Sequence, residues 1–304
     1  MAKVAFFGLG LMGEPMAGHL LAGGHEVVVV AHRRRDPVER LVARGAREAA
    51  TPQAAAAQTE VAITVLPTAA EVEETLFGPA GLAAAMRQGY VVVDMGTSYP
   101  PDTRRIGARV EAAGGRMVDA PITGGPSGAQ AATLTIMVGG DPTAVEVVRP
   151  LLELMGKTIV YFGGLGAGHT AKLVQNLIGI VTSAAICEGF ALAARAGLDL
   201  GALFQMLSAS TSNSPQLQHV VSKVFARDFD RVGFRLDLSF KDIKQATALG
   251  RELGVPLLAS NGAAELMQLA RAAGYGNQDS TAMVRGLERL LGIEIRGERG
   301  PAAP

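Results

Sequence analysis

The sequence predicts an α/β domain built on a doubly wound, mostly parallel sheet, followed by an all-helical domain. Three observations predict it. Over residues 1–163, short valine- and isoleucine-rich runs alternate with helical patterns. Over 164–295 only helical patterns remain. The class changes at a glycine cluster, 163–168, which reads as a domain boundary, and the tail 296–304 (RGERGPAAP) is expected to be flexible.

The first strand is expected at 3–8, where Val4, Ala5, Phe6 and Phe7 run without polar alternation, as in a strand buried on both faces. Most of the further runs, at 26–31, 61–66, 90–95, 116–120, 134–139 and 157–162, repeat that pattern. Helices are expected between them at 11–23, 37–44, 69–76, 100–113 and 142–155. The second domain reads as helices over 169–197, 199–209, 214–227, 235–254, 256–274 and 278–291. The stretch 173–194 approaches the length of a membrane span, but Gln175, Asn176 and Glu188 interrupt it, and Lys172 and Arg195 flank it. It is expected to be a helix buried between protein domains.

Composition narrows the function classes. The chain has 304 residues, about two domains at roughly 150 each. It is 48% hydrophobic and 18% charged, which excludes a disordered chain. Twenty-eight basic residues balance 28 acidic ones, so bulk charge offers no attraction to nucleic acid or to a membrane surface. A single cysteine, Cys187, allows no intrachain disulfide. Lys3 and the apolar run 4–12 have the outline of a secretory signal, but Glu14, Pro15 and glycines follow where a cleavage site would stand. The expectation is a soluble, cytoplasmic protein. The 38 glycines have no Gly-X-Y period and point to turns that approach a ligand.

The strongest motif is Gly8-Leu9-Gly10-Leu11-Met12-Gly13, a G-x-G-x-x-G between the first strand and the first helix. Gly8 allows the tight turn, Gly10 lets the backbone approach a pyrophosphate, and Gly13 lets the helix pack on the strand. The helix N-terminus then offers free N–H groups to phosphate. An NAD-selective site carries an acid about 20 residues past the glycines. Here the second strand ends in Ala31-His32-Arg33-Arg34-Arg35, with no acid before Asp36. Basic side chains at that place suit a 2′-phosphate, so NADP(H) is favoured, with NAD(H) the other candidate. Two more segments stand at strand ends, where ligands bind in open sheets: 65–68, with Leu66 and Pro67, and 94–98, with Thr97.

Two later segments carry chemistry. Asp119-Ala120-Pro121-Ile122-Thr123-Gly124-Gly125 places a hydroxyl before two glycines, a set of donors suited to a carboxylate. Its continuation nearly matches the G-x-S-x-G of serine hydrolases, but Ala129 stands at the last position and no His/Asp partner set accompanies it. In Gly166-Ala167-Gly168-His169-Thr170-Ala171-Lys172, running on to Asn176, the lysine and asparagine are four apart and share one helix face. A buried lysine costs free energy unless it is paired or used. Near a nicotinamide its ammonium can protonate a carbonyl oxygen, and its amine can remove an alcohol proton. Asn176 can orient Lys172 or bind substrate. Lys241, on residues alone, is a surface partner for Asp237 four positions earlier. The five histidines show no metal-ligand spacing, so no metal is expected, and Cys187 reads as a packing residue.

Four segments in order, GLGLMGEPMAGHL from Gly8, DAPITGGPSGA from Asp119, GAGHTAKLVQN from Gly166 and FKDIKQA from Phe240, resemble the β-hydroxyacid dehydrogenases. That group includes 3-hydroxyisobutyrate dehydrogenase and the tartronate, glyoxylate and succinic semialdehyde reductases, and the resemblance covers about 1–295. It implies an N-terminal Rossmann domain, a long interdomain helix, a helical second domain, and a homodimer or homotetramer. It implies that Lys172 is the catalytic lysine with Asn176 one turn later. It implies that Thr123, Gly124 and Gly125 hold a substrate carboxylate, and that Lys241 and Thr97 lie near the nicotinamide and its ribose. Thr123 stands where serine is common, His19 where asparagine is usual, Gly96 where serine is common, and His32-Arg33-Arg34 where Asn-Arg-Thr is familiar. The expected activity interconverts a small 3-hydroxyacid and its semialdehyde. Imine reduction on the same architecture is the alternative, against which Lys172 argues. A non-catalytic NADP-binding interaction protein is another, and related proteins of that kind have lost the lysine.

Overall fold

Strands with no polar alternation need cover on both faces, and that is how the first half is built. In the computed structural model, which describes residues 1–32 and 34–297, six strands pair in parallel. They are β1 (Lys3–Phe7), β2 (Glu26–Val30), β3 (Arg47–Ala49), β4 (Val61–Thr64), β5 (Val91–Asp94) and β6 (Arg116–Asp119), in the order β3-β2-β1-β4-β5-β6. Three further strands extend the sheet beyond β6: β7 (Ile122–Thr123), β8 (Leu134–Gly140) and β9 (Gly156–Gly163). β8 runs antiparallel to β6 and β7 and parallel to β9. This is the Rossmann strand order, with its reversal point between β1 and β4.

Successive side chains of each strand enter opposite cores. Val4, Phe6, Val27, Val29, Ile63 and Val93 pack with Met16 and Leu20 of α1 (Gly13–Ala22) and Val148 and Leu152 of α7 (Pro142–Glu153). Ala5, Phe7, Val28, Ala62 and Val92 pack on the other face with Leu76 of α4 (Ala69–Phe77) and Ile106 and Val110 of α5 (Pro100–Ala112). The remaining helices of this half are α2 (Asp36–Val42), α3 (Pro52–Ala56) and α6 (Gly125–Gln130). The strands β3 and β7 and the helices α3 and α6 are additions to the sequence expectation.

Register places the functional turns. Phe7 pairs with Thr64, Thr64 with Asp94, and Asp94 with Asp119, one row across the carboxyl ends of β1, β4, β5 and β6. The glycine loop, the 65–68 and 95–98 turns, and the segment leading to Thr123 all leave from this row.

The chain divides into two compact units, Met1–Lys172 and a second beginning at Leu173. The first unit runs past the expected boundary at the glycine cluster because the start of α8 (Ala167–Arg195) packs on the sheet. A Cβ on Gly168 would fall 2.4 Å from the carbonyl oxygen of Met137 in β8, and one on Gly139 2.7 Å from the Gly168 nitrogen. The rest of α8 belongs to the second unit, with α9 (Leu200–Ser208), α10 (Pro215–Phe225), α11 (Leu236–Glu252), α12 (Leu258–Ala272) and α13 (Val284–Leu291). Asp199 caps α9 and Ser214 caps α10, the latter followed by Pro215 in the first turn. The expected helix 278–291 is a 3₁₀ turn, Ser280–Met283, leading into α13. By length and composition α8 could cross a bilayer. Its Ile180, Ala184, Cys187, Phe190 and Ala191 instead build the core of the second unit with Val220, Val224, Ile243 and Met267. The expected flexible tail lies, beyond Gly297, outside the described residues.

Candidate functional site

The three motif glycines serve different ends. Gly8 has φ +93°, and a Cβ there would lie 2.2 Å from Val65 O. A Cβ on Gly13 would lie 2.0 Å from Gly8 O. Both are glycine because the fold closes on them. Gly10 is different: a Cβ there meets nothing within 4 Å and its φ is not positive. Protein packing does not require glycine at 10, whereas a ligand approaching the backbone does. The N-terminus of α1 has no side-chain cap, so its backbone donors are not taken up by a side chain of its own N-cap residue. Leu11 at the tip is exposed, and Leu9 and Met12 pack partly against the core. These features fit a dinucleotide pyrophosphate.

The next turn carries the basic residues. His32, Arg34 and Arg35 are exposed, and Arg33 lies outside the described residues. Arg34 makes one loose ion pair, 3.7 Å to Asp36, while Arg35 is held 3.0 Å from Glu48. Asp94 organises the turn after β5. Its Oδ1 accepts from Thr64 Oγ1 and from the Gly96 amide, each at 3.0 Å, and its Oδ2 accepts from Ser98 Oγ at 2.9 Å. Thr97 sits within that turn, half-buried. Leu66 is half-buried and Pro67 exposed in the turn after β4. Thr68 at the end of that turn caps α4 by accepting from the Glu71 amide.

Asp119, fully buried at the end of β6, anchors α8. Its Oδ1 accepts from the Gly166 amide at 2.8 Å and its Oδ2 from the His169 amide at 2.6 Å. A carboxylate on the donors of a helix N-terminus is favoured by hydrogen bonding and by the helix dipole. This bond spans 47 residues to Gly166 and ties the strand-end row to the helix that carries Lys172. Lys172 is 8% exposed. From the same strand end the chain runs to Thr123, half-buried, and to Gly124 and Gly125, whose φ values are +128° and +63°. Two consecutive positive φ values are what two glycines supply.

In the second unit Asn176, also buried, donates from Nδ2 to Asp242 Oδ2 at 2.6 Å. It lies four residues after Lys172 on the same continuous helix, so the two share a face. Lys241 Nζ stands 3.1 Å from Asp242 Oδ1. The surface pair read from the sequence, Asp237 with Lys241, does not form: Asp237 accepts from Arg271 Nε at 2.6 Å. Arg271, on α12, competes for Asp237 and leaves Lys241 to the neighbouring carboxylate. Asp242 thus joins Asn176 and Lys241, a link the sequence does not announce. Its only signal was its place inside the FKDIKQA segment. Asp119 and His169 likewise stand inside the segments DAPITGGPSGA and GAGHTAKLVQN with no local signal of their contact.

Among the described residues no group of three or more His, Cys, Asp or Glu side chains could hold a metal ion. Cys187 is buried, and burial pushes its thiol up to about 12, which keeps it protonated and inert.

Comparison with known proteins agrees with this fold. Residues 3–163 match the family model described as the NAD binding domain of 6-phosphogluconate dehydrogenase. Residues 166–287 match the model described as NAD-binding of NADP-dependent 3-hydroxyisobutyrate dehydrogenase. The chain belongs to the β-hydroxyacid dehydrogenase family. As a β-hydroxyacid dehydrogenase it is an oxidoreductase with an NAD(P)-binding domain. It is 35% identical to the 2-(hydroxymethyl)glutarate dehydrogenase of Eubacterium barkeri, over 97% of this chain and 98% of that one. It is 34% identical to the 2-hydroxy-3-oxopropionate reductase of Escherichia coli (strain K12), over 96% and 99%. Among solved structures, Mycobacterium tuberculosis 3-hydroxyisobutyrate dehydrogenase with L-serine superposes with a TM-score of 0.83 at 32% identity, over 94% of this chain and 99% of that one.

Proposed function

We propose that this β-hydroxyacid dehydrogenase reduces a small aldehyde acid with NADPH and runs in reverse as a 3-hydroxyacid dehydrogenase, with Lys172 handling the proton. The observation that carries the proposal is Lys172 itself. It is a buried lysine on a helix whose N-terminus is anchored, through Asp119, to the row of strand ends beside the glycine loop. Keeping a lysine out of water is costly unless it is paired or used, and proton transfer is a use that fits this place beside the strand ends.

A dinucleotide held at the Gly8–Gly13 loop would supply hydride to the carbonyl carbon, or accept it from the alcohol carbon. Lys172 Nζ gives a proton to the carbonyl oxygen in reduction and, as the neutral amine, takes the hydroxyl proton in oxidation. The Thr123 hydroxyl and the Gly124–Gly125 backbone hold the substrate carboxylate and so fix the reacting carbon. Asn176, held by Asp242, orients Lys172 or the reacting oxygen. The relatives named above carry carboxylates in their named substrates, and the L-serine of the mycobacterial structure is a 3-hydroxy carboxylate, which supports this substrate class. His32, Arg33 and Arg34 favour the 2′-phosphate of NADP(H).

The test is NADPH and NADH oxidation by wild type and Lys172→Ala against glyoxylate and the tartronate, succinic and methylmalonate semialdehydes. Turnover on one of these acids, lost in the variant, supports the proposal. No turnover with cofactor binding intact moves the reading to imine reduction or to a non-catalytic binding protein. We further propose a cytoplasmic homodimer or homotetramer. Val174, Ile178 and Leu192 are exposed apolar positions along α8, and light scattering checks the assembly, with a monomer contradicting it.

A further inference from the structure

One buried side chain beside the strand-end row has no part in the proposed chemistry. His169 lies in the first turn of α8, with its side chain fully buried. Its Nδ1 is 2.8 Å from Thr103 Oγ1 on α5. Thr103 gives its own hydroxyl proton to Tyr99 O at 3.2 Å. The Thr103 oxygen therefore accepts, and His169 Nδ1 carries the donated proton. Nε2 faces Asp94 Oδ2 at 3.7 Å, and Nδ1 is 3.7 Å from Asp119 Oδ2. One ring thus stands against α5, the end of β5 and the end of β6. The two carboxylates it lies between are the one that folds the Thr97 turn and the one that anchors the N-terminus of α8.

Space at this place could be filled by an apolar side chain. A buried imidazole costs free energy; here Nδ1 is engaged by Thr103 while Nε2 has no hydrogen-bond partner among the described residues, and a directional bond such as the one at Nδ1 fixes one geometry where apolar packing tolerates several. The α8 backbone is held here at two amides, Gly166 and His169, both on Asp119. The imidazole adds a side-chain strut to α5, one turn before Lys172.

We propose that His169 is a positioning residue: by bracing the first turn of α8 on Thr103, between Asp94 and Asp119, it sets where Lys172 Nζ stands. The inference rests on the reading of Lys172 as the proton carrier.

A double-mutant cycle tests it. His169→Ala, His169→Gln and Thr103→Val are made in the wild-type and Lys172→Ala backgrounds. Steady-state rates are measured with NADPH, cofactor affinity by fluorescence titration, and fold by circular dichroism. A misplacement near 1 Å costs on the order of a hundredfold, so His169→Ala is expected to lower kcat about ten- to a hundredfold with NADPH affinity changed less than about twofold. His169→Gln, whose amide can still donate to Thr103, recovers most of that loss. In the Lys172→Ala background there is no lysine left to misplace, so the same substitutions change the residual rate by less than about twofold. Equal losses in both backgrounds, an unchanged kcat in His169→Ala, or a loss matched in NADPH affinity overturns the inference. Thr103→Val keeps the volume and removes the acceptor. It carries the test if His169→Ala does not fold, and is expected to lower kcat about three- to tenfold in the wild-type background only. A Lys172→Ala rate equal to wild type refutes the lysine reading and this inference with it. A slow Lys172→Ala with equal His169 losses in both backgrounds refutes the inference alone.

Discussion

Gly10 and Gly13 belong to one motif, yet alanine at each is expected to do opposite things. At Gly13 the new Cβ would sit 2.0 Å from Gly8 O, a backbone atom that cannot swing aside. Relieving that overlap moves the turn by about 1 Å, and overpacking of this kind costs at least about 2 kcal/mol. At Gly10 the Cβ meets nothing within 4 Å and the backbone is ordinary, so the cost stays within about 0.5 kcal/mol. Unfolding entropy near 2.1 cal/mol/K per residue gives the first unit about 0.36 kcal/mol/K. Gly13→Ala is then expected to lower Tm by about 6 °C or more, and Gly10→Ala by about 1 °C. NADPH binding should respond in the other sense. Gly10→Ala places a methyl where a pyrophosphate would approach and is expected to weaken binding about tenfold or more, an ordinary cost of about 1.4 kcal/mol for lost close contact. Thermal melts without cofactor and fluorescence titration with NADPH read the two effects separately. A Gly10→Ala protein that melts as low as Gly13→Ala, or that binds NADPH like wild type, would refute the division of roles.

Three further outcomes follow from the geometry. Among the described residues Arg34→Ala removes an exposed, loose pair with Asp36, so stability is expected to hold within about 0.5 kcal/mol, while NADPH affinity falls and NADH affinity does not; equal changes for both cofactors would contradict a 2′-phosphate role. Asp242→Asn replaces the charged acceptor of Asn176, a bond worth roughly 1.5–3 kcal/mol, and is expected to lower kcat about tenfold or more with NADPH affinity kept; an unchanged kcat would remove Asp242 from the site. Burial alone would push the Asp279 carboxyl up, but the Gly233 and Thr281 amides, the Thr281 hydroxyl and the Lys223 ammonium hold it below the usual carboxylate range. A lowered folded pKa stabilises above the unfolded value, near 3.9, and that stability is lost as pH falls through the folded value. Asp279→Asn should therefore melt lower than wild type at pH 7, and the gap should close as pH drops below about 4; a gap independent of pH would show that charge is not its cause.

What could be read from the sequence depended on length and locality. β1, β2, β4 and β5 were legible because their valine, alanine, isoleucine and phenylalanine runs fill both cores. β3 is Arg-Glu-Ala at an edge of the sheet and β7 is two residues, too short for any period to show. Helix α6, GPSGAQ, is spelled in turn residues and exists because the chain must leave Gly125 and return to β8. Lys172 and Asn176 could be paired from their spacing alone, since a helix fixes that geometry. The Asn176–Asp242 bond spans 66 residues, and the Asp119–His169 bond 50. No local pattern announces a partner at that distance. Lys241 shows the same limit from the other side, because its favourable helical partner Asp237 was taken by Arg271 from another helix.

Whether Lys172 moves the proton is read from the single-turnover rate of Lys172→Ala on the preferred acid, with and without an added primary amine. The expected loss is about a hundredfold to ten-thousandfold, the range for a positioned general acid. NADPH binding should be unchanged, and the rate should recover in proportion to the concentration of the added ammonium ion. A rate near wild type, or a loss that follows NADPH affinity and ignores the amine, would contradict proton transfer by Lys172.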